Sequence, residues 1–349
     1  MDVVKIGKAI AFLRKRAGYT QKDLADRIGI SDKAVSKWER GLGLPEIGYL
    51  RKLSILLDTD TDSLLAGDVV HHDSSWFGII VLDENNYDIN AGTMIYDKPL
   101  INYLLSYFLL VGIRDITIVC NYSNQEFIHK KLGDGSFLGV KISLVENLYT
   151  TVRNRVWTGN VMMVYGRCIL YGVDQTRFFQ KAMSNRERFT MLVLPKKLKN
   201  PDSHIVIDHN KKIINSNEDE PLRTQYDFSS IPIVFFPASI LPKMAEKNSV
   251  SNFISDYFII NDLYVYMLDR GFVEIEVDDW NNVLEASNFI KIVQDKCGMN
   301  VYCIEEVAWR RGFISVKQLE QLGLSKQGTE YGEYILSLYH RIIENSEIK

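Results

Sequence analysis

The sequence predicts two domains of different class: an all-helical domain over residues 1–67 and, after a joint at 68–75, an α/β domain with a mixed, mostly parallel sheet over 76–349. Three observations carry this. Apolar residues recur at helical spacing through the first 67 residues, buried-strand runs alternate with helical runs beyond residue 75, and the charge changes sign between the two parts. Residues 1–67 hold 12 Lys and Arg against 9 Asp and Glu, a net +3, while the other 282 residues hold 29 against 35, a net −6. A basic small module beside an acidic large one points the small module at a polyanion.

The first helix is expected from Val3 to Ala17, where Ile6, Ile10, Leu13 and Ala17 share one face and Gly18 closes the run. In "TQKDLADRIGISDKAVSKWERG", Thr20 with Asp23 three residues on, and Ser31 before the next apolar run, are N-cap signatures. Gly29 between the two runs makes the segment helix, tight turn, helix, the arrangement that lays its second helix in a DNA major groove. On that second helix Val35 and Trp38 fall on the buried stripe, and Lys33, Ala34, Lys37 and Arg40 face outward, able to meet bases or phosphates. Gln21 and Ser36 are placed for phosphate contacts, and Ser31 opens the helix. A solvated helix face is the bland alternative for these cations.

The joint "GDVVHHDSSWF" has no periodicity, and its adjacent His71 and His72 have no carboxylate or cysteine at a metal-ligand spacing. Beyond it "WFGIIVL" reads as a buried strand, "PLINYLLSYFLLVGI" as a helix, "DITIVC" as a second strand and "VMMVYGRCILYG" as a strand running into a turn at Arg167. Apolar runs fall short of the roughly 20 residues that span a bilayer, and no signal-peptide core opens the chain, so a cytoplasmic protein without a membrane partner is expected. Cys120, Cys168, Cys297 and Cys303 are scattered without metal-like pairing, so neither metal nor cofactor is expected.

Two resemblances follow from these residues. Thr20-Gln21, Leu24-Ala25, Gly29, Ser31, Val35-Ser36, Trp38-Glu39 and Gly41 resemble the lambda repressor and Cro (XRE) family of helix-turn-helix domains, which implies five helices and binding to a double-stranded DNA operator; some members of that family use the module for protein contacts instead. The segments "IYDKPLINYLL", "LLVGIRDITIV", "LGDGSFLGVKISLVE", "EASNFI" and "EEVAWRRGFISVKQLEQL" resemble glucose-1-phosphate thymidylyltransferases and related sugar-1-phosphate nucleotidyltransferases over nearly all of 76–341, which implies a Rossmann-like mixed sheet of the nucleotidyltransferase type.

That second resemblance implies a Gly-rich phosphate loop with an Arg and a Lys, two metal-binding aspartates, and a Lys and a Glu on the sugar. Here the loop reads "VLDENNYDINAGTM", with Asp83, Glu84 and Asp88 in it and Asn90 in the Lys position. Arg167 and Glu276 align with the two aspartates, Glu220 with the sugar-phosphate Lys, and a position near Ile259 with the Glu. A guanidinium excludes a divalent cation and offers no acceptor oxygen. The expectation is therefore a catalytically inactive fold in which Arg167 either pairs with Glu276 or holds a phosphate or carboxylate of a ligand. A relocated acid site at Glu276, Asp278 and Asp279 is the alternative.

The resemblance further implies a second, regulatory nucleotide site. Tyr171 and Gly172, with Glu306 and Arg310 one turn apart on a late helix, match it, although Val173 stands where a His is common. The same late segment would equally serve a subunit interface. Taken together, the expectation is a sequence-specific transcriptional regulator acting as a homo-oligomer, dimer or tetramer, with a nucleotide or nucleotide-sugar effector. The alternatives are a working nucleotidyltransferase that represses its own operon, and a scaffold whose large domain only oligomerises the DNA-binding heads.

Overall fold

The structure is a computed structural model that describes residues 2–57, 59, 61–67, 75–82, 89–153, 157–195, 206–207, 213–214, 228–246, 250, 253 and 263–347. The chain divides into two compact units, Met1–His71 with Glu305–Lys349, and His72–Ile304. This differs from the sequence boundaries, which kept 305–349 with the α/β domain. Trp309, Ile314 and Leu338 of the C-terminal segment line a common cavity with Phe12, Tyr19 and Leu56, so these helices group with the N-terminal ones.

In the first unit, α1 (Val3–Arg16) is capped by the Asp2 carboxylate, which accepts from the Val4 and Lys5 amides at 3.1 Å. The reciprocal capping box of Thr20 and Asp23 opens α2 (Gln21–Ile28), and Ser31 opens α3 (Asp32–Glu39). Then come α4 (Ile47–Leu56) and α5 (Thr61–Ala66). Ile6, Ile10, Leu13, Leu24, Ile28, Val35, Trp38, Leu53 and Leu64 form one core. A buried polar network locks the bundle: Arg14 Nε donates to Glu39 Oε1 at 2.5 Å and Nη2 to Oε2 at 3.1 Å, while Nη1 donates to the Tyr19 carbonyl at 2.6 Å. Both side chains are more than nine-tenths buried, at 9% and 7% exposure.

The second unit is built on a seven-stranded sheet. Its strands are β1 (Trp76–Val81), β4 (Asp115–Val119), β5 (Lys141–Val145), β6 (Asn160–Tyr165), β8 (Thr190–Pro195), β11 (Phe228–Pro237) and β12 (Tyr264–Met267), in the order β12-β8-β11-β6-β1-β4-β5. Only β11 runs antiparallel to its neighbours. All six residues of β1 are buried, as a parallel strand covered on both faces requires. Helix α6 (Leu100–Val111) covers one side and is buried at every position but Leu110, which explains its continuous apolar sequence. The short hairpins β2 (Met94–Ile95) with β3 (Lys98–Pro99) and β9 (Val206–Ile207) with β10 (Ile213–Ile214) lie outside the main sheet. So does the antiparallel pair of β7 (Cys168–Tyr171) and β13 (Val273–Glu276). Among the smaller helices are α7 (Tyr122–Leu132), α8 (Leu148–Arg153), α9 (Gln175–Met183) and α10 (Leu241–Ala245), before the long α11 (Trp280–Cys297).

The chain returns to the first unit through α12 (Ile304–Arg310), α13 (Val316–Leu324) and α14 (Glu330–Glu347). Two buried glutamates of α12 tie it to α14: Tyr331 OH donates to Glu305 and Tyr334 OH to Glu306, each at 2.6 Å. Truncating one member of a buried ion pair strands the other charge. Glu39→Ala is therefore expected to lower the unfolding free energy of the helical domain by about 3–5 kcal/mol, measured by urea titration followed by circular dichroism.

Candidate functional site

The helix-turn-helix face is built from caps and a stripe. Val35 and Trp38 are buried, as the periodicity requires, which turns Lys33, Lys37 and Arg40 outward as exposed side chains, with Ala34 and Ser36 half-buried. The Ser31 hydroxyl caps the helix by accepting from the Ala34 amide at 3.3 Å, which leaves its O–H to donate. Gln21 is half-buried, and its Nε2 donates to Glu39 Oε2 at 2.7 Å, so the Arg14–Glu39 network holds it in place.

In the second unit the strand order changes direction at β1. The chain runs outward through β4 and β5 and returns to the other side of β1 as β6. Carboxyl ends of strands at such a switch point form the crevice where open α/β sheets bind ligands. Val81 pairs with Tyr165 at that edge, and the Gly166 amide donates to the Val81 carbonyl at 3.1 Å. Gly166 has φ of 82°, a left-handed turn that glycine adopts without strain and that redirects the chain into β7. Arg167 follows it at the switch point. Its side chain is buried at 6% exposure, with Nη2 donating to the Leu82 carbonyl at 2.9 Å.

The expected Arg167–Glu276 ion pair is not formed. Glu276 lies opposite Cys168 in the β7–β13 register and points to solvent, whereas Asp278, past the end of the strand, is a carboxylate that feels the Arg167 charge. Burial pushes the Asp278 carboxyl above its usual range; the Arg167 guanidinium opposes this and neighbouring Asp279 adds to it. Asp279 caps α11 by accepting from the Asn282 amide at 2.8 Å. Asp278 was visible in the sequence only as one of three adjacent acids. Its proximity to Arg167 depends on the Val277 amide donating to the Arg167 carbonyl at 2.7 Å, a contact between distant segments.

Position 167 does not fit a divalent cation, because a buried guanidinium directed at a carbonyl supplies no ligand oxygen. Among the described residues no group of three or more His, Cys, Asp or Glu side chains is placed to hold a metal. Asn90 forms a local turn: its Oδ1 accepts from the Gly92 amide at 2.8 Å and its own amide donates to Thr93 Oγ1 at 2.9 Å. Asp83, Glu84, Asp88, Glu220 and Ile259 lie outside the described residues.

Tyr171 and Gly172 belong to the second unit, Glu306 and Arg310 to the first. The Tyr171 ring meets Phe289 and Tyr302 edge-on, at centroid distances of 5.6 and 6.3 Å. Gly172 is required by packing, since a Cβ there would lie 2.4 Å from Phe272. Glu306 and Arg310 share a helix face as their spacing predicts, with Nε to Oε1 at 2.8 Å. Glu306 is 6% exposed and its second oxygen accepts from Tyr334, so its carboxylate is engaged within its own unit.

Residues 93–296 match the nucleotidyl transferase family, more than half of the chain. The chain belongs to that family. Its N-terminal residues 10–64 match the helix-turn-helix family, and the five-helix bundle described above is that domain. Curated relatives of this nucleotidyl transferase family member are named glucose-1-phosphate thymidylyltransferases. One from Neisseria meningitidis is 29% identical over 260 residues, covering 70% of this chain and 90% of the relative. Another, from Xanthomonas campestris, is 28% identical over 264 residues (71% and 88%), and one from Mycobacterium tuberculosis is 27% identical over 267 residues (71% and 90%).

These relatives correct the expectation of a catalytically inactive domain. The likeness to proteins named as transferases covers about 70% of the chain, and an arginine at position 167 does not by itself show a loss of activity. Carboxylates of Glu276 and Asp278 remain at the same strand end.

Asp278 gives this site a pH signature. Its carboxyl titrates higher folded than unfolded, so the native state holds the proton more tightly and the benefit of the protonated form is lost as pH rises from below the unfolded value through the folded one. Asp278→Asn is expected to raise the melting temperature at pH 7 and to leave it unchanged near pH 3, a comparison made by calorimetry at the two pH values.

Proposed function

We propose that this protein is a sequence-specific, DNA-binding transcriptional regulator whose nucleotidyltransferase domain takes a nucleotide or nucleotide sugar and reports it to the DNA-binding domain. The observation that carries the reading is one chain in which a fully capped helix-turn-helix with outward Lys33, Lys37 and Arg40 is joined to a nucleotidyl transferase. Lys33, Lys37 and Arg40 meet bases or phosphates of a duplex operator, and Ala34 offers a small apolar surface to a thymine methyl. Gln21, Ser31 and Ser36 face the backbone, with Gln21 oriented by Glu39.

The regulator works in the cytoplasm, where its operator is, as a symmetric homo-oligomer on a palindromic site with half-sites about 10 bp apart or a multiple of that. On the ligand side, Tyr171 offers an aromatic surface for a base within the second unit, and Arg310, with a side chain 47% exposed, offers a cation for a phosphate within the first. The thymidylyltransferase names of the relatives favour a second reading for the α/β domain, transfer of a nucleotidyl group to a sugar 1-phosphate. The two readings coexist in one chain, and separate assays read them.

Footprinting on genomic fragments is expected to protect a palindromic sequence. Lys37→Ala and Arg40→Ala are each expected to weaken binding by about 1–3 kcal/mol if they read a base, and to lower the salt slope by about 1 where they contact a phosphate. Absence of any protected sequence, or full affinity in both variants, refutes the DNA-binding reading. A nucleotide sugar at a hundred times its dissociation constant should stabilise the protein by about 2.7 kcal/mol. Release of pyrophosphate from a nucleoside triphosphate with sugar 1-phosphate, measured against an enzyme-free control, tests transfer.

A further inference from the structure

The first unit contains a cavity of about 1130 Å³ that neither the helix-turn-helix face nor the strand-end crevice uses. One wall comes from the C-terminal end of α1, from α2 and from the end of α4; the other comes from the end of α12, the turn after it, the start of α13 and α14. Its charge is one-sided. Lys15, Arg27, Arg310, Lys317 and Arg341 line it, Arg310 being paired with Glu306, and among the described lining residues the one acid is Asp23. That acid is already committed: its carboxylate accepts from the Thr20 amide and hydroxyl at 2.8 and 2.7 Å in the cap of α2.

Aromatic surface stands beside the cations. Arg27 lies over the Tyr19 ring at 4.7 Å, and Arg310 lies over the Trp309 ring at 5.5 Å. Trp309 is 8% exposed, and its buried indole N–H has no acceptor among the described residues, an unmet donor in the wall of the cavity. Gathering Lys15, Arg27, Lys317 and Arg341 around one space costs repulsion that a bound anion relieves, and Arg and Lys side chains are the usual phosphate ligands. Flat rings next to that charge suit a base or another planar group.

We infer that this cavity binds a nucleoside phosphate, with the base against Tyr19 and Trp309 and the phosphates among Lys15, Arg27, Lys317 and Arg341. The site is assembled only when the helix-turn-helix domain and the C-terminal helices are both present. Its ligand therefore contacts α2, the helix directly before the DNA-facing α3. Any effect of the ligand on operator affinity must equal the effect of operator on ligand affinity. That consequence rests on the regulator reading; the binding itself does not, and it is measured without DNA.

Calorimetric titration of the full-length chain with thymidine 5′-diphosphate tests the site, with thymidine and inorganic pyrophosphate as the two halves of the probe. Lys15→Glu and Arg341→Glu, both at exposed positions outside 72–304, are each expected to weaken one class of diphosphate site at least tenfold. Lys130→Glu, an exposed change of the same net charge in the second unit, is expected to bind as wild type. Unaltered melting temperatures in the absence of ligand check that the variants fold. Wild-type affinity in both Lys15→Glu and Arg341→Glu, or equal weakening by Lys130→Glu, overturns the site. Pyrophosphate binding as tightly as the diphosphate overturns the role given to Tyr19 and Trp309. An operator footprint that persists in a variant that has lost the diphosphate separates failure here from failure of the DNA-binding reading.

Discussion

Burial of β1 on both faces is the constraint from which the α/β unit follows. Its neighbours β4 and β6 run parallel to it, and parallel strands are joined by crossover connections that cover the sheet faces. Placing those neighbours on opposite sides makes the chain reverse its direction of growth at β1. That reversal opens the crevice at the carboxyl ends of β1 and β6. Leu82 and Arg167 occupy this edge because they lie just past the ends of the two strands, and their hydrogen bond joins the two lips directly.

A buried guanidinium places a fixed positive charge in that crevice. Arg167 donates to a carbonyl, and Asp278, rather than the Glu276 first expected, is a described carboxylate that meets its charge. Glu276 is exposed at the end of β13, whereas Glu274, two residues earlier on the same face of the strand, is buried. The chain is a nucleotidyl transferase family member with a buried arginine at the switch point, and its relatives named as transferases make turnover an experimental question about Arg167 and its neighbours.

The helical unit depends on a different interaction, the buried Arg14–Glu39 pair. It links α1 to the end of α3, it carries the Tyr19 carbonyl, and through Glu39 it orients Gln21 at the start of α2. Three helices and one outward polar side chain are therefore fixed by a single carboxylate. The C-terminal helices add a second polar tie through Glu305 and Glu306, and the position of α12 beside the N-terminal bundle gives Arg310 and Trp309 neighbours that no local pattern announces.

Local chemistry was legible in the sequence wherever partners are a few residues apart. The Thr20–Asp23 capping box, the Ser31 cap, the buried stripe of Val35 and Trp38, the strands at 76–81 and 160–165 and the Glu306–Arg310 pair all follow from spacing on one element. Sequence pattern therefore determined the two fold classes and the outward face of α3. Tertiary structure alone decided what meets across elements. It put Asp278 rather than Glu276 beside Arg167, tied Gln21 to Glu39, and grouped residues 305–349 with the N-terminal helices to close a cationic cavity. The physical reason is that caps and periodicities are governed by the backbone geometry of one segment, whereas the pairing of buried charges depends on packing between segments that lie far apart in the chain.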